Sequence, residues 1–187
     1  MITAPAKAIV WFILALAFAG TFAAAQDKSF TNPDLIDGFE YGLVCDTNVV
    51  GAAKAPDTDI GEINIIAGDV VFSAHGTLVP AIPGLSFGVK SRASGAMLLD
   101  DVTFRVTHPP LIGTGTTEQS WQGYIEASRL SAQLYSFDMP SELVTGTWTL
   151  SAYQGDTLLY QISFDVIAPK DAPTYLKELC NLDAYTS

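Results

Sequence analysis

Few side chains in this sequence are of types that do chemistry. There are two histidines, His75 and His108. Imidazole suits zinc or copper, and Met97 or Met139 would add a thioether for copper. Two histidines still fall short of the ligand count of a closed site. Asp57-Thr58-Asp59-Ile60-Gly61-Glu62 starts like a calcium loop. It lacks a third acidic ligand, and its glycine comes one place early for an EF-hand, so a solvated acidic loop is the competing reading. Gly84-Leu85-Ser86-Phe87-Gly88 has the G-x-S-x-G spacing of a serine hydrolase. That motif works on a sharp strand-to-helix turn. Here Pro83 precedes it and another extended run follows, so it reads as the start of a strand.

Two carboxylate pairs remain. Asp100 and Asp101 are adjacent, and neighbours on a strand point apart, so they cannot easily share a proton. Asp138 and Glu142 flank Met139-Pro140-Ser141 and can meet across a turn. Glu142 is better placed to accept backbone N–H bonds that fix that turn. A phosphate-cradling glycine loop and a Cys-x-x-Cys motif are both missing, so nucleotide and thiol-redox chemistry have no support. No convergent catalytic set emerges, and no cofactor or metal ligand set is assigned.

The cysteines suggest a structural role. Cys45 and Cys180 form an even count, and in an oxidising compartment they would pair as one disulfide. Two buried free thiols are the alternative. The amino terminus points to such a compartment. Lys7 precedes an apolar run from Ala8 to Phe22, and Ala23-Ala24-Ala25 supplies small residues at the exit. This is the layout of a secretory signal, with cleavage expected after Ala25. An uncleaved anchor is the alternative, though the segment is slightly shorter than the ~20 residues a spanning helix needs. The expected location is the periplasm or the cell exterior, with residues 26–187 as a single domain.

The 187-residue chain carries 20 acidic and 9 basic side chains, for a formal net charge of −11. Removal of the leader takes away one lysine and no acid. Such a chain would be repelled by nucleic-acid phosphates and by anionic membrane surfaces. Solubility is the simplest reading of the acidity.

The elements that hold these residues are strands. Leu158, Tyr160, Ile162, Phe164 and Val166 alternate with Leu159, Gln161, Ser163 and Asp165. Side chains on a strand face opposite ways with a period of two, so one face is apolar and meets a core. Trp148, Leu150 and Ala152 do the same in Gly146–Tyr153. Tyr153-Gln154-Gly155-Asp156 supplies the turn of a hairpin. Further strands are expected at Phe39–Cys45, Glu62–Ile66, Asp69–Ala74, Leu85–Ser91, Asp101–Thr107, Trp121–Ile125 and Ser131–Phe137. Gln26–Asp37 reads as a loose lead-in, Asp46–Gly61 and Leu111–Ser120 as loops, and Thr77–Gly84, with Pro80 and Pro83, as an edge or connection. A short helix after Asp171 would rest Tyr175, Leu176 and Leu179 on the sheets and bring Cys180 to Cys45. Many short strands at such spacing predict a sandwich or barrel.

The segments VPAIPGLSFGVK, VTFRVTHPPL and FDMPSELVTGTWTLSAYQGDTLLYQISFDVI resemble a bacterial domain family known as DUF3859. The resemblance covers about Val79–Val166. Its most specific parts are Phe87-Gly88, His108-Pro109-Pro110, and Pro140 through Glu142, Gly146 and Trp148. The stretch up to about Val70 and the Cys45/Cys180 pair lie outside it. It brings no activity, ligand or catalytic residue. The Gly-x-Trp-x-Leu hairpin is also similar to the last strands of immunoglobulin-like modules. The expected fold is therefore all-β: an immunoglobulin-like antiparallel β-sandwich with a short C-terminal helix.

Trp148 falls on the core face. Trp121 borders the loop at one end of the sandwich, a usual place for binding. An exposed Trp121, with His108 nearby at its Pro-Pro turn, would form a partner surface; a half-buried lid is the alternative. The expected function is a non-catalytic module acting through protein contacts or as structure. The alternative is a metal-binding or hydrolytic protein built on His75, His108 and nearby carboxylates. Pairing of an open sheet edge with another chain is a third possibility.

Overall fold

The hairpin read from the alternation is the spine of one sheet. In the computed structural model, which describes residues 29–182, its strands are β11 (Gly146–Gln154) and β12 (Thr157–Ile167). The leader expected at residues 1–25 lies outside the described residues. The other strands are β1 (Ser29–Thr31), β2 (Ile36–Val44), β3 (Val49–Lys54), β4 (Glu62–Ile66), β5 (Ala74–His75), β6 (Leu78–Pro80), β7 (Ser86–Ala93), β8 (Leu99–Thr107), β9 (Glu118–Ile125) and β10 (Ser131–Ser136), and the helix α1 (Thr174–Leu179) follows β12. One sheet runs β1-β12-β11-β8-β9, the other β10-β7-β2-β5, and β3 and β4 pair only with each other.

The two sheets enclose a core of alternate residues. Phe87 and Val89 of β7 meet Phe104 and Val106 of β8, Trp148 and Leu150 of β11, and Ile162 and Phe164 of β12. The Phe87 ring stands edge-on to Trp148 at 5.8 Å and to Phe164 at 5.1 Å. Burial of this many large apolar side chains drives the sheets together. The result is the immunoglobulin-like, all-β sandwich with a short C-terminal helix. One pair departs from antiparallel order: β6 runs parallel to the end of β12, with Val79 beside Val166. β1 covers Tyr160–Ile162 and β6 covers Asp165–Ile167 of the same edge.

Several expectations need correction. The lead-in contains β1, which pairs with β12. The loop at 46–61 contains β3, whose residues are nearly all exposed and so carry no alternation to read. The strand expected at Asp69–Ala74 shrinks to β5. Phe72 packs edge-on against His75, Ser73 Oγ accepts from the Cys45 amide, and the Ser73 amide donates to the Leu43 carbonyl, so only a short ladder to β2 forms. In β12 the alternation fails at its start: Leu159 is fully buried and Leu158 only partly. A bulge between Ala152 and Tyr153 shifts the register there. On α1 only Leu176 is buried, while Tyr175 and Leu179 are exposed. Asp171 closes the preceding turn, and Pro173 occupies the cap position.

The cysteines are joined. Cys45 directly follows β2, Cys180 directly follows α1, and their Cα atoms lie 5.2 Å apart across the disulfide. Gly88 shows why the Phe87-Gly88 pair is demanding. It lies between Gly42 on β2 and Leu134 on β10. A Cβ at Gly88 would fall on the carbonyl oxygen of Gln133.

Candidate functional site

The last strand of one sheet, β9, and the last strand of the other, β10, follow each other in the chain and border the same flank of the sandwich. The hairpin β3–β4 lies along that flank. β9, β10, β4 and residues 68–70 line a groove of about 500 Å³. Trp121 lies at its base. Its indole N–H donates to Gln133 Oε1 at 3.1 Å, which ties β9 to β10, and its ring stacks on Phe104 at 6.0 Å. Gly123, opposite Val102, leaves space for Phe104: a Cβ there would be 2.8 Å from Phe104 Cε2.

The backbone along this flank is open. Phe137 donates its amide to Leu85, on the β7 side of β10, at 3.0 Å. Amide directions alternate along an antiparallel strand. The N–H groups of Ala132 and Leu134 therefore point away from β7. On β9, the Ser120 amide points outward and donates to the Asp57 carbonyl at 3.1 Å, so Gln122 and Tyr124 share that direction. Among the described residues no strand pairs with the outer edge of β4, β9 or β10.

A buried polar network supports the groove from below. His108 Nδ1 lies 2.9 Å from the Pro109 carbonyl, which can only accept, so Nδ1 carries the proton and Nε2 is bare. The Asp59 amide donates to Gln119 Oε1 at 2.8 Å, which fixes the orientation of the Gln119 side chain. Its Nε2 then donates to His108 Nε2 at 3.1 Å and to Tyr135 Oη at 2.9 Å. Tyr135 donates to Glu142 Oε1 at 2.6 Å. Glu142 Oε2 accepts the amides of Asp138 and Met139, each at 2.8 Å. Each partner is satisfied, as burial demands. The chain of bonds runs from the loop between β3 and β4, through β9 and β10, to the turn before β11.

Burial lowers the pKa of His108, against smaller upward effects from the Pro109 contact and the nearby Asp59 carboxylate. Burial raises that of Glu142, more than the hydrogen bonds from Tyr135 and from the Met139 and Asp138 amides lower it. Asp138 is likewise pushed up by burial, with the Asn64 hydrogen bond pulling the other way. The Tyr135 hydroxyl is pushed well up by burial and by its bond to Glu142.

The sequence candidates are dispersed. His108 is 6 % exposed, and its ring lies 4.5 Å from that of Trp148. Trp121 is 9 % exposed. The partner surface expected at His108 and Trp121 is therefore corrected: both face inward, since Trp121 alternates toward the core on β9 and His108, just past β8, continues the inward alternation of Phe104 and Val106. His75 is on β5, at the far edge of the other sheet from β10. His75 and His108 thus do not converge, and among the described residues no group of three or more His, Cys, Asp or Glu side chains is placed to hold a metal. Met97 and Met139 are exposed. Asp59 points its carboxylate to Thr116 Oγ1 at 3.1 Å, and Glu62 opens β4 opposite Lys54, so the acidic loop does not gather its oxygens around one point. Ser86 is fully buried on β7, with its Oγ 2.7 Å from Ser136 Oγ. Asp100 and Asp101 sit in a bulge of β8, where Asp101 has φ +50. Glu142 holds the turn by its backbone amides as expected.

Gln119, Tyr135 and the β3–β4 hairpin escaped the sequence reading. The signal for Gln119 was present. It shares the alternation of Trp121 and Ile125 on β9, which places it on the inner face.

The architecture defines the class: an immunoglobulin-like β-sandwich. Residues 33–166 match the family model described as "Domain of unknown function (DUF3859)", and the chain belongs to that family. The match begins well before the Val79–Val166 stretch that carries the resemblance. It takes in β2, the β3–β4 hairpin and Cys45, and leaves out only Cys180 of the disulfide. A comparison with curated proteins returns no match. Among solved structures, the chain is similar to an immunoglobulin-like protein from Pseudomonas aeruginosa, with 25% sequence identity and a TM-score of 0.47, over 77% of this chain and 100% of that one.

Proposed function

We propose that this domain is a non-catalytic protein-binding module that takes an extended polypeptide segment into the groove beside β10. The observation that carries the reading is that the terminal strands of both sheets open onto one groove, with the outward amides of Ala132 and Leu134 unpaired by any strand. An added strand would gain main-chain hydrogen bonds from that edge, and side chains at alternate positions would enter the groove. Charge favours one kind of occupant. Glu62, Asp69 and Asp138 line the groove against Arg129, and the chain carries a net −11. The segment is expected to be extended, free of acidic residues, and to carry Lys or Arg between apolar positions. The other expected alternative, metal or hydrolytic chemistry on His75 and His108, has no comparable support, since both ring nitrogens of His108 are engaged within the network.

The disulfide supports a place outside the cytoplasm, since such bonds persist in oxidising compartments. Export by the amino-terminal leader fits this and belongs to the same proposal.

Selection of a random decapeptide library displayed on phage, with the full chain as bait, tests the reading. Supporting peptides would alternate apolar and basic residues and lose binding to Leu134→Pro. That substitution removes an outward amide and leaves the β7 ladder intact. A library with no enrichment, or selected peptides that bind Leu134→Pro equally well, would refute it.

A further inference from the structure

We infer that protonation of His108 unlatches the loop between β3 and β4, so that the wall of the groove loosens as pH falls. The inference concerns regulation of the groove proposed above and rests on that reading for its purpose, though not for its geometry.

The latch is the Gln119 amide. Every hydrogen in its surroundings has one possible place. The Pro109 carbonyl takes the proton on His108 Nδ1. The Asp59 N–H needs an oxygen, so Gln119 Oε1 faces the loop. The two hydrogens on Gln119 Nε2 are then used by His108 Nε2 and Tyr135 Oη. The Tyr135 hydrogen goes to Glu142. A second proton on the imidazole would land on Nε2, where it would face the Gln119 NH₂ group, donor against donor. Rotation of the amide relieves this by presenting Oε1 to the imidazolium. The same rotation turns NH₂ toward the Asp59 N–H and takes away its acceptor. The loop thereby loses one of its hydrogen bonds into the domain.

The loop is part of the groove wall, through Thr58 and Ile60. Its remaining ties are Ser120 to the Asp57 carbonyl, Thr116 Oγ1 to the Asp59 carboxylate, and the buried side chain of Ala55 at the start of the loop. A two-stranded hairpin such as β3–β4 is marginal without support from the rest of the fold. The titratable groups around His108 are Asp59 in the loop, Tyr135 on β10 and, through Tyr135, Glu142 with Asp138 behind it. Trp148 of β11 contributes an uncharged ring. Asp59 favours the imidazolium, and burial opposes it. Titration therefore falls below the ordinary histidine value of about 6.5.

NMR of the full chain, without any peptide, tests this. His108 side-chain nitrogen shifts follow the imidazole, and amide exchange at Asp59, corrected for its intrinsic pH dependence, follows the latch. Protection of Asp59 is expected to fall roughly ten-fold, the scale of one lost neutral hydrogen bond, with the same midpoint as His108. Amides in β11 and β12 should keep their protection. In Gln119→Met, Asp59 protection should be low at every pH; a retained pH-dependent loss would overturn the inference. If that variant does not fold, the wild-type titration decides alone. Constant Asp59 protection through the His108 titration, or a histidine that stays neutral until the whole domain unfolds, overturns it too. No peptide enters these measurements, so their failure leaves the groove reading standing, and an empty peptide selection leaves the latch standing.

Discussion

Gln119 Nε2 lies 3.1 Å from His108 Nε2, and the donor is the glutamine. That direction is set from outside the pair, by the Pro109 carbonyl on one side and the Asp59 amide on the other. The histidine that a sequence search singles out for catalysis or metal binding is thus a neutral acceptor inside a structural network.

Replacement of Gln119 by Leu removes two donated bonds and one accepted bond at a buried position. The variant is expected to lose roughly 2 kcal/mol of stability, the cost of leaving buried polar partners unmet. Urea unfolding at neutral pH measures it. A variant as stable as the parent would mean that the network contributes nothing to holding β9, β10 and the loop together.

Replacement of both Cys45 and Cys180 by Ser frees the tail. On the chain-entropy model a closed loop of 135 residues is worth ~4–5 kcal/mol. Leu176 and Leu182 remain fully buried, so the helix should stay docked in the folded state and the loss should appear chiefly in the unfolding midpoint. Calorimetry of the double variant checks this. A melting temperature equal to that of the oxidised parent would show the bridge to be without thermodynamic weight.

The pH dependence has opposing parts. The pKa of His108 is depressed in the fold, so its contribution is present above the unfolded value of about 6.5 and is lost as pH falls through the folded one. Glu142 and Asp138 have raised values, so their contribution is present at low pH and is lost as pH rises through their folded values. The difference in unfolding free energy between the parent and His108→Asn isolates the histidine. That difference should shrink as pH is lowered from 7 to 5, by at most about 1.4 kcal/mol per unit. Parallel curves would show that His108 does not titrate differently in the two states.

Trp121→Phe keeps the ring stacked on Phe104 and deletes the indole N–H that reaches Gln133. A loss of about 1 kcal/mol is expected for the bond, with faster amide exchange along β10 than along β7. Equal exchange on both strands would mean that the bridge does not hold β10 in place.

Much of the fold was legible because half-buried strands show a period of two. Trp148, Phe104 and Phe164 fell where the alternation put them. β3 was not legible, since nearly all its side chains meet water and only its pairing with β4 makes it a strand. The Leu158/Leu159 inversion depends on a bulge in the partner strand, which no single-strand pattern reveals. At the site, Glu142 could be read as a turn-holding carboxylate from its spacing alone. The inward direction of Trp121 was readable from its alternation with Ile125 on β9, but its contacts with Phe104 and Gln133, on other strands, were not.

The central claim is that β10 presents an open edge that a partner strand completes. The most direct measurement is hydrogen exchange at the Leu134 amide in the free chain and with a selected peptide bound. The account predicts rapid exchange when free, strong protection when bound, and little change at Gln133 and Tyr135, whose amides already serve β7. A Leu134 amide protected in the free chain, or one that the peptide leaves unchanged, would contradict it.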